Sequence, residues 1–193
     1  MKRYFIGLTF SIFLLSALPG YAAGPLDTVR QEIKKVLDVL RDSSLHTEVK
    51  KEKLRIFYGQ MFDEVEFSRR TLGRNWRKLN PSQQQEFVRL FRGILEKAYI
   101  NKLLAYTDEK IVFGRETTLT SDRAQVQTKV ITSSREIPID YRVIQKDGMW
   151  KVYDVVVENV SLVQNYRSQF RSILAKNTPD QLLELLRKKV KGK

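Results

Sequence analysis

The sequence predicts an α+β fold, with helices packed on a curved antiparallel sheet. Three observations carry this. Apolar residues recur at three- and four-residue steps up to about Leu104, and again from Leu162 onward. Between Lys110 and Val157 they alternate at period two instead. Short turns, led by Asp147-Gly148, separate the alternating runs, which makes neighbouring strands antiparallel and gives a meander. One domain is expected over residues 23–193, with a helical part at 25–106, a sheet at 109–158 and C-terminal helices at 161–191.

The first helix follows from Leu26, Val29, Ile33, Val36, Leu37 and Leu40, which make one apolar stripe. A second helix is expected over Glu48 to Phe62 and a third over Glu64 to Leu72, stopped by Gly73. Asn80-Pro81 starts the longest helix, with Asn80 as N-cap and Pro81 at the first helical position. It runs to about Leu104 and buries Phe87, Leu90, Phe91, Ile94, Leu95, Ala98 and Leu103.

Lys110 to Thr117 reads as the first strand, and Ala124, Val126, Thr128, Val130 and Thr132 alternate with polar neighbours in the second. Ile137, Ile139, Tyr141 and Val143 continue the pattern. In the strand from Trp150 to Val157, strict alternation puts Trp150 and Val152 on one face and Tyr153, Val155 and Val157 on the other. Such a strand needs cover on both sides. The next helix carries Leu162, Val163, Tyr166, Phe170, Ile173 and Leu174, with Ser161 as cap. Thr178-Pro179-Asp180-Gln181 combines a capping box with Pro at the first position, and starts a final Leu-rich, Lys-tailed helix.

Composition narrows the chemistry. The 193 residues include no Cys and one His, so a disulfide framework, a thiol nucleophile and a multi-histidine zinc pattern are excluded. His46 lies between two predicted helices with no nucleophile signature around it, and reads as an exposed loop residue. Asp154, set among Val and Tyr, reads as a buried structural carboxylate rather than a catalytic one. No Gly-rich phosphate loop and no nucleophile elbow is present.

Lys2 and Arg3 precede an apolar run from Tyr4 to Leu18, and Gly20 and Ala22 supply the small residues of a cleavage site. The run is shorter than the roughly 20 residues a bilayer span needs. Residues 1–22 therefore read as a signal peptide cleaved after Ala22, and the mature chain as a soluble protein outside the cytoplasm. The net charge of +13 would suggest nucleic acid in a cytoplasmic protein. Export points instead to anionic membrane surfaces or acidic protein partners.

The aromatic surplus admits two readings. Tyr99, Leu103 and Tyr106 are spaced to lie together at the end of the long helix, and Tyr141, Val143, Trp150 and Val152 offer a facing surface on adjacent strands. Periodicity alone does not separate a filled core from a lined hollow. Arg69, Arg70, Arg74, Arg77 and Lys78 cluster at one helix end, as either a docking face or a solubilising one.

A series of motifs in order decides more. The run from Phe67 to Arg77 is followed by Gln83-Gln84-Gln85-Glu86-Phe87 and by Tyr99. Further on come Gly148 to Val155, then Glu158-Asn159-Val160-Ser161-Leu162-Val163 and Asn165-Tyr166-Arg167-Ser168-Gln169-Phe170. Together with the signal segment, this series resembles the MlaC family of periplasmic phospholipid-binding proteins, also called the toluene-tolerance Ttg2D family. It departs at Asn159, where the family usually has Gly. Asn tolerates a left-handed backbone better than most residues, so the turn is expected to persist.

The resemblance implies a monomeric periplasmic shuttle for glycerophospholipid, with no enzyme activity and no cofactor. Its partners would be an inner-membrane ABC transporter with its MCE-domain ring and an outer-membrane lipoprotein–porin complex, with no nucleic acid. It also implies a nuclear-transport-factor-2-like (NTF2-like) sheet around a deep apolar pocket, about 15 Å deep if each acyl chain spans half of a ~30 Å hydrocarbon core. The lining expected is Leu95, Tyr99, Leu103 and Tyr106 on the long helix, Val130, Tyr141, Val143, Trp150 and Val152 on the sheet, and Tyr166 and Phe170 on the later helix. The alternative is an adaptor with a filled core and a basic partner-binding face. A hydrolase using Asp154 or His46 on the same architecture is the third reading.

Overall fold

The computed structural model describes residues 23–106 and 109–192. The expected signal peptide and its cleavage site lie outside the described residues. In chain order the helices are α1 (Pro25–Arg41), α2 (Thr47–Met61), α3 (Glu64–Leu72) and α4 (Pro81–Leu104), with a 3₁₀ segment (Gly73–Lys78) between the last two. The strands are β1 (Lys110–Thr120), β2 (Arg123–Ile131), β3 (Glu136–Lys146), β4 (Met149–Val157) and β5 (Val160–Ser161), followed by α5 (Leu162–Leu174) and α6 (Pro179–Lys191).

Local chemistry sets the boundaries. Asn80 accepts a hydrogen bond from the Gln83 backbone N–H while the Gln83 side chain accepts from the Asn80 N–H, both at 2.9 Å. The same reciprocal box closes on Thr178 and Gln181 at the start of α6. Gln83 also donates to Asp180 at 2.6 Å, joining the two helix starts. A turn or more further on, Arg187 holds Glu86 with two bonds of 2.8 Å. Gly73 ends α3 at φ +54°, a backbone that a β-carbon would disfavour.

The five strands lie in chain order, each antiparallel to the next. Asp147 and Gly148 both take positive φ, as a two-residue hairpin between β3 and β4 requires. Glu158 and Asn159 do the same between β4 and β5, at φ +49° and +66°. Asn159 thus takes the left-handed turn expected there.

Register assigns the faces. Ala124, Val126, Thr128 and Val130 of β2 pair with Val143, Tyr141, Ile139 and Ile137 of β3, so these eight share one face. On β4, strict alternation fails. Arg142 pairs with Asp154 but Val143 pairs with Val152, leaving Tyr153 as an extra residue in a β-bulge. The bulge changes the phase, so Val155 and Val157 join Val152 and Trp150 on the same face, contrary to the alternation expected from sequence. Their partners Tyr141 and Ile139 face the same way.

That face is covered by α1. Val29 and Ile33 are buried with Met61, Ala124, Val126, Val143, Val152 and Val155 in one apolar cluster. The start of α1 is pinned where the Leu26 N–H donates to Glu116 of β1 at 2.9 Å. A second cluster joins α3, α4, α5 and α6, and a small third one joins Leu40, Leu54 and Ile100. Among the described residues, no helix is long and apolar enough to cross a membrane.

Candidate functional site

The two large clusters differ in how completely the chain covers them. The helical cluster has 14 buried residues and 8 partly buried ones packed against it. The sheet-side cluster reverses the proportion, with 8 buried and 10 partly buried. The ten are Leu26, Leu37, Phe62, Ile111, Phe113, Ile139, Tyr141, Trp150, Val157 and Leu162. The sheet-side interior is therefore the part of the molecule whose apolar surface its own atoms leave least finished. Apolar surface left in contact with water costs about 25 cal/mol per Å².

The expected lining residues separate along this division. Tyr141, Val143, Trp150 and Val152 meet in the sheet-side cluster. Val130 is buried on the same sheet face, paired with Ile137 and Ile111. Leu95, Tyr99, Tyr166 and Phe170 belong to the helical cluster. Tyr106 packs against the small third cluster and lies close enough to Tyr141 to act on it electrostatically. Leu103 is 36% exposed and stands apart. Phe62 and Leu162 touch both large clusters and form the seam between them.

Sequence reasoning did not name Phe62 or Leu162 as site residues, nor α1 as the lid over the sheet. The amphipathic stripe of α1 was visible, but not the surface it would cover. The seam has a backbone cause: Phe62 bridges to Val152 of β4, and the Asp63 N–H donates to the Val152 carbonyl at 2.9 Å.

The tyrosines are poised as neutral donors. Burial pushes the Tyr141 phenol up to about 12, with Tyr106 adding to the effect. Burial pushes Tyr166 up to about 12 as well, helped by a hydrogen bond with Tyr99. Each presents a ring to apolar neighbours and keeps a hydroxyl that needs a polar partner.

The groups weighed for other chemistry have structural partners. Asp154 is buried and accepts from Ser161 Oγ at 2.6 Å, from the Val163 N–H at 3.0 Å and from Arg142 at 3.1 Å. It thereby locks the β5–α5 junction. His46 is exposed at the N-cap of α2. Of the basic group at the end of α3, Arg69 and Arg70 are both committed to the buried Glu66, at 2.7 Å each. Burial opposes the charge on Glu66, yet the two guanidinium groups hold its carboxyl below the ordinary value. Arg74, Arg77 and Lys78 on the 3₁₀ segment are exposed and make no ion pair among the described residues.

Two cavities of about 330 Å³ each lie elsewhere. One is lined by Ile94, Lys97, Ala98, Tyr166 and Lys189, on the helical cluster's outer side. The other is polar and borders β3, β4, α3 and α5. Neither opens on the sheet-side cluster.

A meandering sheet capped on one face by a helix and flanked at its edge by a helical layer defines an α+β protein of open-sheet type. Its more completely buried cluster is helical, and its less completely buried one lies against the sheet. The same arrangement is seen in a phospholipid-binding protein of Ralstonia solanacearum solved in complex with a phospholipid: TM-score 0.81, 20% identity, 88% of this chain and 98% of that one covered. A family model described as MlaC protein matches residues 30–188, and the chain belongs to that family. Curated relatives include the toluene tolerance protein ttg2D of Pseudomonas putida, 30% identical over 105 residues. Another is the intermembrane phospholipid transport system binding protein MlaC of Haemophilus influenzae, 27% identical over 119 residues. These alignments span 54% and 59% of this chain, and about half the length of each relative (49% and 56%).

Proposed function

We propose that this chain is a periplasmic carrier that binds glycerophospholipid and moves it between the inner and outer membranes, as the binding component of an ABC-type lipid transport system. Family membership supports the class, and the unfinished sheet-side cluster is the observation that carries the reading. A diacyl lipid has on the order of 30 methylenes, each worth about 0.8 kcal/mol when buried, so exposing it to water costs roughly 24 kcal/mol. A carrier must replace the bilayer almost methylene for methylene. The ten half-buried apolar side chains are the surface that acyl chains would complete.

In this reading the chains lie against Val130, Tyr141, Val143, Trp150 and Val152, with Tyr106 at one end. Loading requires α1 and the half-buried side chains to move apart, because Val130, Val143 and Val152 are at most 5% exposed. Leu95, Tyr99, Tyr166 and Phe170 form the rigid wall across the Phe62–Leu162 seam. Leu103 would contribute at the rim. Because protein replaces membrane at nearly equal free energy, direction comes from differential affinity at the two docks and not from the carrier.

Docking is assigned to the basic end of α3. Arg74, Arg77 and Lys78 supply the uncommitted charge, while Arg69 and Arg70 share theirs with the buried Glu66. Association with either membrane complex would then weaken as salt rises.

Native mass spectrometry of freshly purified protein tests the reading. A co-purifying phospholipid mass, lost in Tyr141→Glu and Val143→Glu, is expected. A bare chain that takes up no lipid from vesicles contradicts it and favours the adaptor. Lipid hydrolysis abolished by Asp154→Asn or His46→Ala would instead mark an enzyme.

A further inference from the structure

The polar cavity has no part in acyl-chain binding, yet three guanidinium groups converge on it from three different elements: Arg70 of α3, Arg142 of β3 and Arg167 of α5. Each is fixed by a contact that leaves donors uncommitted. Arg70 stacks 4.2 Å over the Tyr153 ring and gives its Nε to Glu66. Arg142 gives Nε to Gln125 and one terminal nitrogen to Asp154. Arg167 gives Nε to the Arg70 carbonyl at 2.8 Å and has no carboxylate partner among the described residues. The remaining terminal N–H groups have no protein acceptor there.

Only one carboxylate, Asp154, is in the wall, and its oxygens are taken by Ser161, Val163 and Arg142. Asp122 and Asp140 lie near enough to act on Arg70 and Arg142 respectively, and stand outside the lining. Glu66 and Asp154 offset part of this charge, Arg167 has no such partner, and the free terminal donors of all three face the hollow as a site for an anion. Guanidinium forks pair two-pronged with phosphate oxygens, and three forks from different directions suit a tetrahedral anion better than a planar carboxylate. The volume, about 330 Å³, is at the lower end of those that hold small molecules, and leaves room for a small ester substituent.

The bulge makes the site. The extra residue at Tyr153 lets Asp154 pair with Arg142 on the face opposite α1, so the anchored Arg142 points away from the apolar interior. We propose that this cavity is a second ligand site, binding a phosphate monoester or diester through Arg70, Arg142 and Arg167. It does not depend on the carrier reading. The phosphate belongs either to a lipid headgroup or to a soluble ester.

Calorimetric titration of the full mature chain with inorganic phosphate and with glycerol 3-phosphate tests this, on protein as purified and on protein stripped of lipid. Binding at about 1 mM or tighter is expected, with Arg167→Gln weakening it about tenfold. Arg142→Gln is a second variant, its fold checked by circular dichroism because it also releases Asp154. Binding seen only after stripping assigns the site to a headgroup, and binding in both preparations assigns it to a soluble ester. No heat with either titrant up to about 10 mM, or affinity unchanged in Arg167→Gln, overturns the proposal.

Discussion

The helical layer and the sheet-side layer are both apolar, but they solve the packing problem differently. In the helical layer, rings lock on rings. Phe87, Phe91, Tyr166 and Phe170 lie with centroids 4.9–5.9 Å apart, mostly edge to face, and Phe67 continues the network. The sheet-side layer has a floor of Ala and Val, and its aromatic residues Phe113, Tyr141 and Trp150 stay half-buried at the margin. A ring network has one good arrangement. Small residues under a single helix are buried here by α1, while the larger side chains around them stay partly exposed. The difference teaches where this chain buries its apolar side chains most completely and where, in the proposed reading, a ligand would finish the job.

The largest effect should come from breaking the first region. Phe91→Ala removes a fully buried ring that touches Phe67, Phe87, Tyr166 and Phe170, and should cost about 3–5 kcal/mol in urea unfolding. The comparison predicts that whatever protein remains folded still holds lipid. Loss of lipid with normal stability would reverse the roles of the two layers.

The sheet side should respond in the opposite sense. Tyr141→Phe keeps the ring, removes the hydroxyl and should change stability by less than about 1 kcal/mol. Val143→Phe fills the interior that hydrocarbon would occupy. It should cost about 1–3 kcal/mol from overpacking and reduce lipid recovered by extraction several-fold. Unchanged lipid content in Val143→Phe would place the cargo elsewhere.

These two layers were unequally legible in the sequence. Asn80-Pro81 and Thr178-Pro179 fixed helix starts because capping is a local bargain between residues three apart. Asp147-Gly148 fixed the hairpin for the same reason. The Tyr153 bulge was invisible, because a bulge is a property of two strands in register and strand β4 read alone shows only alternation. The split of the expected lining into two clusters was hidden too. Periodicity says that Tyr99 and Tyr141 each face inward, not that Tyr99 meets Tyr166 while Tyr141 meets the α1 side. Phe62, at the end of α2, reads as one more helix residue until its bridge to Val152 is seen.

A smaller effect is expected at the border where α3 meets the sheet. The Glu66 carboxyl is held below its ordinary value by Arg69 and Arg70 despite burial. A depressed carboxylate contributes stability that is fully present above its unfolded value, about 4.3, and is lost as pH falls through the lower folded value. Glu66→Gln should therefore cost about 1–2 kcal/mol at neutral pH, discounted because Arg69 is half exposed, and flatten the acid limb of the stability profile. An acid limb identical to the parent's would show that the pair does not hold α3 in place.

The smallest effect concerns the turn that carries the chain from sheet to helical layer. At φ +66°, Asn159→Ala should cost about 1 kcal/mol, while Asn159→Gly should stay within about 0.5 kcal/mol of the parent. Thermal unfolding of the two variants separates them. Equal melting temperatures would mean that the turn relaxes freely and does not fix the β4–α5 geometry.

Photocrosslinking with a phospholipid that carries a diazirine midway along one acyl chain tests the central claim most directly. After loading and irradiation, peptide mapping should find label on α1 and on the Ile111–Phe113, Tyr141–Val143 and Trp150–Val152 segments. Label concentrated on Phe87, Phe91 and Phe170, or a chain that loads no lipid at all, would contradict the account.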